Sequence, residues 1–468
     1  MFETTIIKTQ DHEQATDFIE LKNNIDNVIT NFMSEYKNHQ QSIEVDFRKL
    51  VSWVPYGDSY THFIHSYPAK LLKHIPIFFL NSKKIMPNPE GIVLDPFCGS
   101  GTVLLESVIA GYKSIGCDAN PLARLIAHVK TTPLDANILN ETLNKILIQA
   151  KRIKKYRTRN VTNIDHWFSE QVKNDLSKIH TAIQKIENIE VKNFYEICFS
   201  NIVKKVSFAD PNLSVPVKIN PLKYSDPFLY KKAFTELESK KNISVFDKFK
   251  KQSLENIKRI EKLNNLKTSG NAQIVGRDAR SITKCLDNEN SQWLSNSIDL
   301  IITSPPYAGA QKYIRASSLS LGWLNYCENK SLRDYEKQNI GREHYYKNEY
   351  KLKNNTGLKE IDNELEWIWE INPLRAHINI NYLVELRSSV KEMYRVLKDG
   401  SHCIIVIGNN MVCGKVFDTK KYLKIIAEDA GFETIFILRD KIHSRGLMTK
   451  RNKTANVINT ESIMVFKK

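Results

Sequence analysis

One stretch constrains the fold of this chain more than any other. Gly91-Ile92-Val93-Leu94-Asp95 is a short apolar run rich in β-branched residues, closed by Pro96 and followed by Phe97-Cys98-Gly99-Ser100-Gly101-Thr102. Such a run, bounded by turn residues, reads as a buried parallel strand leading into a tight loop. Val103 to Ala110 continue with helical periodicity, Gly111 and Tyr112 end them, and Lys113-Ser114-Ile115-Gly116-Cys117-Asp118 reads as the next strand, ending on a carboxylate. Together they make one strand-helix-strand repeat. Glycines on both sides of Ser100 let backbone N–H groups approach a ligand at a helix N-terminus, and Asp118 is placed to accept hydrogen bonds from ribose hydroxyls. Taken alone, the loop equally suits an ordinary turn into a helix with a surface Asp. The dinucleotide fingerprint G-x-G-x-x-G is incomplete, because Leu104 stands at its third glycine, which argues against NAD or FAD.

The same texture returns after residue 270. Ile274-Val275-Gly276-Arg277-Asp278-Ala279 and Ile298-Asp299-Leu300-Ile301-Ile302-Thr303 are each read as a strand running into a polar loop. The last hundred residues predict a helix over Leu383 to Leu397, a turn at Lys398-Asp399-Gly400 and a strand over 403–408. A helix from Lys420 to Ala430 and strands over 434–438 and 461–466 follow. An interrupted α/β sheet with an antiparallel end is the simplest architecture for that order. At the other end, residues 1–52 are polar, with Phe18, Ile19, Leu21, Ile25, Val28, Ile29 and Phe32 at helical spacing, and are expected to form a helical lead-in. Pro55, Tyr56 and Gly57 suggest a turn, after which Thr61 to Lys70 lead into an apolar helix through Leu71, Leu72, Ile75 and Phe78.

Between 135 and 270 the pattern gives way to helical stretches and basic clusters, densest over Lys151 to Arg159. The segment holds 26 Lys+Arg against 15 Asp+Glu, so +11 of the chain's +16 net charge lies there. Localised positive charge favours a polyanionic partner, nucleic acid first and an acidic membrane surface second; a solvated lysine-rich face is the bland alternative. A second interruption, 328–372, has 8 basic and 10 acidic groups and makes no such suggestion. With 468 residues, 41% hydrophobic and 26% charged, the chain is globular in composition and long enough for two or three domains. No run approaches the ~18 apolar residues of a membrane span, and no signal peptide is read at Met1 to Gln10. Seven cysteines, none in a C-x-x-C pair, indicate neither zinc nor a disulfide framework and fit a cytoplasmic setting. His62 and His65 lack a third ligand, so no metal site is expected.

The second chemistry-bearing loop is Thr303-Ser304-Pro305-Pro306-Tyr307, at the exit of an apolar strand. Two prolines cannot donate to a ladder and hold the chain extended with carbonyls free to accept. The following ring can stack on a planar group, and Ser304 both donates and accepts. These are the parts needed to hold the exocyclic amine of a nucleobase. A rigid loop with Tyr307 packed inward is the alternative when the motif stands alone.

Taken together, Asp95-Pro96-Phe97-Cys98-Gly99-Ser100-Gly101-Thr102 and Thr303-Ser304-Pro305-Pro306-Tyr307 resemble the cofactor and catalytic motifs of the DNA amino-methyltransferases, which methylate cytosine N4 or adenine N6 with S-adenosylmethionine. The resemblance covers residues 53–133, 272–326 and 380–468. It implies a Rossmann-like doubly wound methyltransferase sheet with an antiparallel end strand and a largely helical inserted domain. It further implies a division into a lead-in (1–52), a first catalytic part (53–134), a basic target-recognition or DNA-binding insertion (135–270) and a second catalytic part (271–468) interrupted at 328–372. Asp95, Phe97, Gly99, Ser100, Gly101 and Thr102 would form the cofactor loop, Asp118 and Asn120 the ribose end, and Asp278 and Ala279 the adenine end. His65 and Lys70, in the stretch resembling the family's N-terminal motif, would lie near the methionine end. Ser304 and Pro305 would hold the amine, with Pro306 and Tyr307 completing the catalytic loop. Double-stranded DNA is the implied substrate and a cognate restriction endonuclease the implied counterpart.

Ser as the first residue of the tetrapeptide favours cytosine N4 in this family, with adenine N6 as the alternative. An RNA guanine-N2 methyltransferase shares a similar cofactor loop, but usually has Asp before Pro-Pro-Tyr and an added N-terminal RNA-binding domain. A catalytically silent DNA-binding subunit is disfavoured by the intact loops. Carbon-5 methylation would need a Pro-Cys pair, and none occurs; Cys98 reads as a small packed residue.

Overall fold

The computed structural model of the chain describes residues 24–54, 59–68, 70–282, 295–308, 313–442 and 459–468. The turn expected at Pro55 to Gly57 and the apolar positions Phe18, Ile19 and Leu21 fall outside them.

Eight strands form one sheet. In chain order they are β1 (Ile43–Val45), β2 (Ile92–Asp95), β3 (Lys113–Cys117), β4 (Asn271–Gly276), β5 (Ile298–Thr303) and β6 (Leu397–Ile407), then, after a small hairpin of β7 (Asn410–Val412) and β8 (Lys415–Phe417), β9 (Glu433–Lys441) and β10 (Thr460–Lys467). Across the sheet the order is β1-β9-β10-β6-β5-β2-β3-β4. Only β10 runs antiparallel to its neighbours, β9 and β6; the other pairs are parallel. This is the doubly wound, mostly parallel sheet with an antiparallel strand toward one end that the sequence predicts. Strand β5 is buried at all six positions, as a central strand covered on both faces must be. Helices Thr102–Ile109, Pro121–Thr131, Pro373–Val396 and Thr419–Asp429 supply the crossovers.

Two local expectations change, and one element not read from the sequence is present. Residues 24–39 are helical and bury Ile25, Ile29, Phe32 and Tyr36, as their spacing predicts. The chain then forms β1, which pairs parallel with β9, and Phe47 packs against Phe78 and Phe79 at 5.6 and 6.0 Å, so this segment builds the edge of the sheet. A three-residue strand is too short to show alternation. The turn expected at Lys398-Asp399-Gly400 is absorbed into β6: Gly400 N donates to Lys468 O at 2.9 Å and Lys468 N to Ser401 O at 3.0 Å, so ladder partners meet a segment that would otherwise turn. The β7–β8 hairpin turns through Cys413 (φ 48°) and Gly414 (φ 83°), both left-handed as a tight two-residue hairpin requires.

Residues 135–270 form helices Ala136–Arg152, Glu170–Ile183, Ile189–Val206, Pro227–Lys241 and Val245–Asn264, with short pieces between. Four of them share a core containing Phe194, Tyr195, Phe199 and Phe249. That core is closed by residues on either side of the segment: Leu122, Ile126 and Val129 before it, and Leu321 and Trp323 after it. Trp323 sits edge-on to Phe168 and Phe199 at 5.7 and 6.0 Å. Among the described residues no helix is long and apolar enough to cross a membrane.

Candidate active site

The chain moves outward from β2 to β3 and β4, then returns to place β5 on the other side of β2. The strand order therefore reverses between β2 and β5, and in such sheets ligands bind at the carboxyl ends of the strands beside that point. Both chemistry-bearing loops leave the sheet there.

Asp95, the last residue of β2, ties them together. Its buried Oδ1 accepts from Thr303 Oγ1 at 2.6 Å and from Phe97 N at 3.1 Å. Burial raises its pKa to about 7, against the pull of those two donors. Beyond it the loop makes two left-handed residues, Gly99 (φ 48°) and Gly101 (φ 75°). At Gly101 a Cβ would stand 2.9 Å from both Cα and Cβ of Ala127, so the loop and helix Pro121–Thr131 touch only because this residue has no side chain. Its neighbour differs. A Cβ on Gly99 would meet nothing closer than Phe97 O at 3.9 Å, and Gly99 lines an open cleft. Ser100 Oγ is buried with no protein partner, and Thr102 begins the helix that follows.

Asp118 follows β3. Its Oδ2 accepts from Gly99 N at 2.9 Å and its Oδ1 from Asn120 N at 2.8 Å. Burial raises its pKa, opposed by these two bonds and by Arg124. Asn120 caps helix Pro121–Thr131 by accepting from Leu122 N at 3.0 Å, and its Nδ2 donates to Tyr67 Oη at 3.1 Å and to Ser317 Oγ at 3.2 Å. Asn120 thus ties the loop after β3 to Tyr67 and to helix Tyr313–Trp323.

Of the residues singled out by sequence, Phe97, Gly99, Asp118, Asp278, Ala279, Ser304 and Pro306 line the one cleft. Asp278 is already engaged: Arg280 Nε and Nη2 each donate to it at 2.8 Å, and Arg280 Nη1 reaches Glu385 at 3.0 Å. Pro305 is buried and Ser304 half-buried. Tyr307 packs against the sheet core, outside the cleft lining, and its hydroxyl donates to Glu461 Oε1, at the start of β10, at 2.8 Å. Burial and the Glu461 carboxylate hold the phenol well above its usual pKa, and burial also raises that of Glu461.

His65 and Lys70 do not line the cleft, contrary to expectation. His65 Nε2 lies 3.1 Å from Ser200 Oγ, and burial, aided by Lys70, Lys205 and Lys130, lowers its pKa to about 3; it is a neutral joint to the helical insertion. Lys70 Nζ donates to His62 O at 2.6 Å and lies 5.3 Å from the Phe63 ring centroid. From the same segment it is Tyr67 that reaches the cleft. His62 pairs with buried Glu106 at 2.5 Å.

Sequence reasoning also missed Arg277, Tyr313 and the run Gln338-Asn339-Ile340, which lines the cleft from the 328–372 interruption. Gly341 N donates to Glu385 Oε2 at 3.1 Å, so the carboxylate that meets Arg280 also fixes this run. Asn410, in β7, donates through Nδ2 to Ala308 O and braces the catalytic loop. Arg277 adjoins a motif and was within reach; nothing in the sequence pattern marks Gln338, Asn410 or Glu461.

A sheet of this topology with a glycine cradle, a strand-end carboxylate and a Pro-Pro-Tyr loop at its reversal point has the build of a nucleoside-cofactor methyltransferase. The DNA methylase family model of N6/N4 methyltransferases matches residues 5–128. The type II methyltransferase M.MvaI of Kocuria varians is 24% identical over 428 residues, 85% of this chain and 88% of that protein. M.BsoBI of Geobacillus stearothermophilus is 24% identical over 424 residues, 80% of each chain. M.MjaII of Methanocaldococcus jannaschii is 36% identical over 96 residues, 20% of this chain and 18% of that one. The chain is thus similar to the N6/N4 DNA methylases over residues 5–128, and type II methyltransferases of restriction-modification systems are its homologues. The residues present suit S-adenosylmethionine as cofactor: the open space at Gly99 and the Asp118 carboxylate face one cleft, and the buried Ser100 hydroxyl beside Gly99 has no protein partner.

Proposed function

We propose that this DNA methyltransferase acts on the N4 amine of a cytosine rotated out of duplex DNA, as the modification enzyme of a type II restriction-modification pair whose counterpart is a cognate endonuclease. The observation that carries this reading is the Thr303 to Asp95 hydrogen bond, which couples the cofactor loop to the catalytic loop at one cleft.

When bound, S-adenosylmethionine supplies a methyl group already activated by its sulfonium. Gly99 and Ser100 would cradle the cofactor, Asp118 would accept from its ribose hydroxyls, and Ala279 with Ile340 would border its adenine. Extruding the base costs a few kcal/mol of unstacking, offset by stacking on Tyr307. Glu461 fixes the phenol hydroxyl and so limits rotation of that ring. Ser304 Oγ and the Pro305 carbonyl accept from the amine N–H groups and aim its lone pair at the methyl. No strong base is needed, because the rate gain comes from positioning and electrostatics; the proton leaves after transfer. Cytosine is favoured over adenine by Ser304 at the first position of the tetrapeptide. The insertion 135–270 meets the DNA, and Lys151, Arg152, Lys154 and Lys155 stand exposed there for phosphate contact.

The test is expression in a host lacking DNA methylation, followed by nucleoside mass spectrometry. N4-methylcytosine is expected. N6-methyladenine alone would overturn the cytosine assignment, and methylated tRNA without a new DNA mark would overturn DNA as substrate.

A further inference from the structure

Helix Pro227–Lys241 contributes nothing to either core. It is capped by Asp226, which accepts from Leu229 N at 2.8 Å, and of its 15 residues only Lys240 is buried. Phe228, Leu229, Tyr230 and Phe234 remain 73%, 43%, 39% and 46% exposed. Tyr230 and Phe234 stack on each other, centroids 6.2 Å apart and planes 12° from parallel, so the rings are ordered without being covered. A folded chain seldom leaves so much contiguous apolar surface unless something binds it.

Lysines interleave with the rings. Lys231 and Lys232 share a shallow groove with Phe228, Thr235, Glu236 and Ser239, while Glu238 is occupied by Lys241 at 2.6 Å. Two lysines against one glutamate leave the groove with a net positive charge, which a polyanion complements. The root of the helix also points to the active site. Lys240 Nζ donates to Lys205 O at 2.8 Å, near the end of helix Ile189–Val206. About one turn earlier on that helix, Ser200 and Asn201 hold His65 and Ser66, and the next residue, Tyr67, lines the cleft.

We propose that Pro227–Lys241 is a DNA-binding arm, with Lys231 and Lys232 on backbone phosphates and Phe228 and Phe234 against the groove edge. Fifteen helical residues span roughly 22 Å, which matches about six base pairs. The proposal rests on the DNA methyltransferase reading and adds the element that grips the duplex.

The experiment uses the full chain, a fluorescein-labelled 30-base-pair duplex and fluorescence anisotropy between about 50 and 200 mM salt, with S-adenosylmethionine affinity and molar mass measured in parallel. Two phosphate contacts at ~0.9 each predict that K231Q/K232Q lowers the salt slope by about 1.8 and weakens binding at 0.15 M salt roughly 30-fold. F228S/F234S should weaken binding at least about fivefold, through lost apolar contact with the groove edge, while leaving the slope unchanged. Both variants should bind S-adenosylmethionine as the parent does. Unchanged duplex binding by both variants overturns the arm alone, as does a dimer of the parent that F228S/F234S splits without loss of DNA affinity. A parent that binds S-adenosylmethionine but no duplex overturns the arm together with the reading beneath it.

Discussion

Gly99 and Gly101 are one residue apart and both left-handed, yet replacing each by Ala should damage different things. An L-residue in this conformation costs ~1–2 kcal/mol. At Gly101 the added methyl must also push against the Ala127 backbone and side chain, both 2.9 Å away, and displacing a packed helix adds ~1–3 kcal/mol. Gly101→Ala should therefore lose ~2–5 kcal/mol of stability. At Gly99 the methyl enters open space, with Phe97 O at 3.9 Å, so only the conformational cost of ~1–2 kcal/mol applies. That methyl projects where the cofactor would lie, and Gly99→Ala should weaken S-adenosylmethionine by on the order of tenfold or more, about 1.4 kcal/mol. Urea unfolding midpoints and calorimetric titration with S-adenosylmethionine, run on both variants, separate the effects. Equal stability losses at the two positions, or parental cofactor affinity in Gly99→Ala, would refute the cradle geometry.

Four further outcomes are expected. Ser304→Ala removes one acceptor for the amine and should lower kcat roughly 10- to 100-fold, with S-adenosylmethionine affinity unchanged in titration. Tyr307→Ala should sharply lower methyl transfer in a tritiated-methyl assay and leave cofactor binding near parental. Tyr307→Phe keeps the ring but strips the buried Glu461 carboxyl of its phenol donor, and urea unfolding should show a loss of ~1–3 kcal/mol that Glu461→Gln partly avoids. Asp95 holds its proton to about pH 7 when folded, against an ordinary value of 3.8, so the folded state binds more protons between these limits. Its contribution to stability should accordingly fall as pH rises from about 4 to about 7 and then level off, and Asp95→Asn should flatten the difference between urea midpoints at pH 5 and pH 8.

How much was legible depended on whether a residue's role was local. Strands β2, β3 and β5 were visible because central parallel strands are continuous apolar runs, and the loops after them because glycine and proline restrict backbone geometry where they stand. Strands β1, β7 and β8 are three residues each, shorter than one cycle of any pattern that separates strand from loop. In the site, Gly99, Asp118 and Ser304 were recognisable from their own neighbours. Gln338 to Ile340 reach the cleft through a loop held by Glu385, and Glu461 meets Tyr307 only because β10 inserts between β9 and β6. His65 and Lys70 stay outside the cleft lining because a motif marks a segment, while the turn of the backbone decides which of its side chains reaches the cleft. Tyr67 arrived instead.

The seating of Trp323 between Phe168 and Phe199 bears on how the insertion could be exchanged by recombination. The helical insertion is a branch of the chain in sequence but shares its interior with the trunk, through Leu122 and Val129 on one side and Trp323 on the other. The inserted helices, transplanted between relatives at the boundaries of the insertion, would leave an indole without its sockets and a donor core with a hole. The heritable unit of exchange in this architecture is thus longer than the insertion: it must carry helix Tyr313–Trp323, and with it the loop bearing Ser304, so that the inserted helices and that loop travel together.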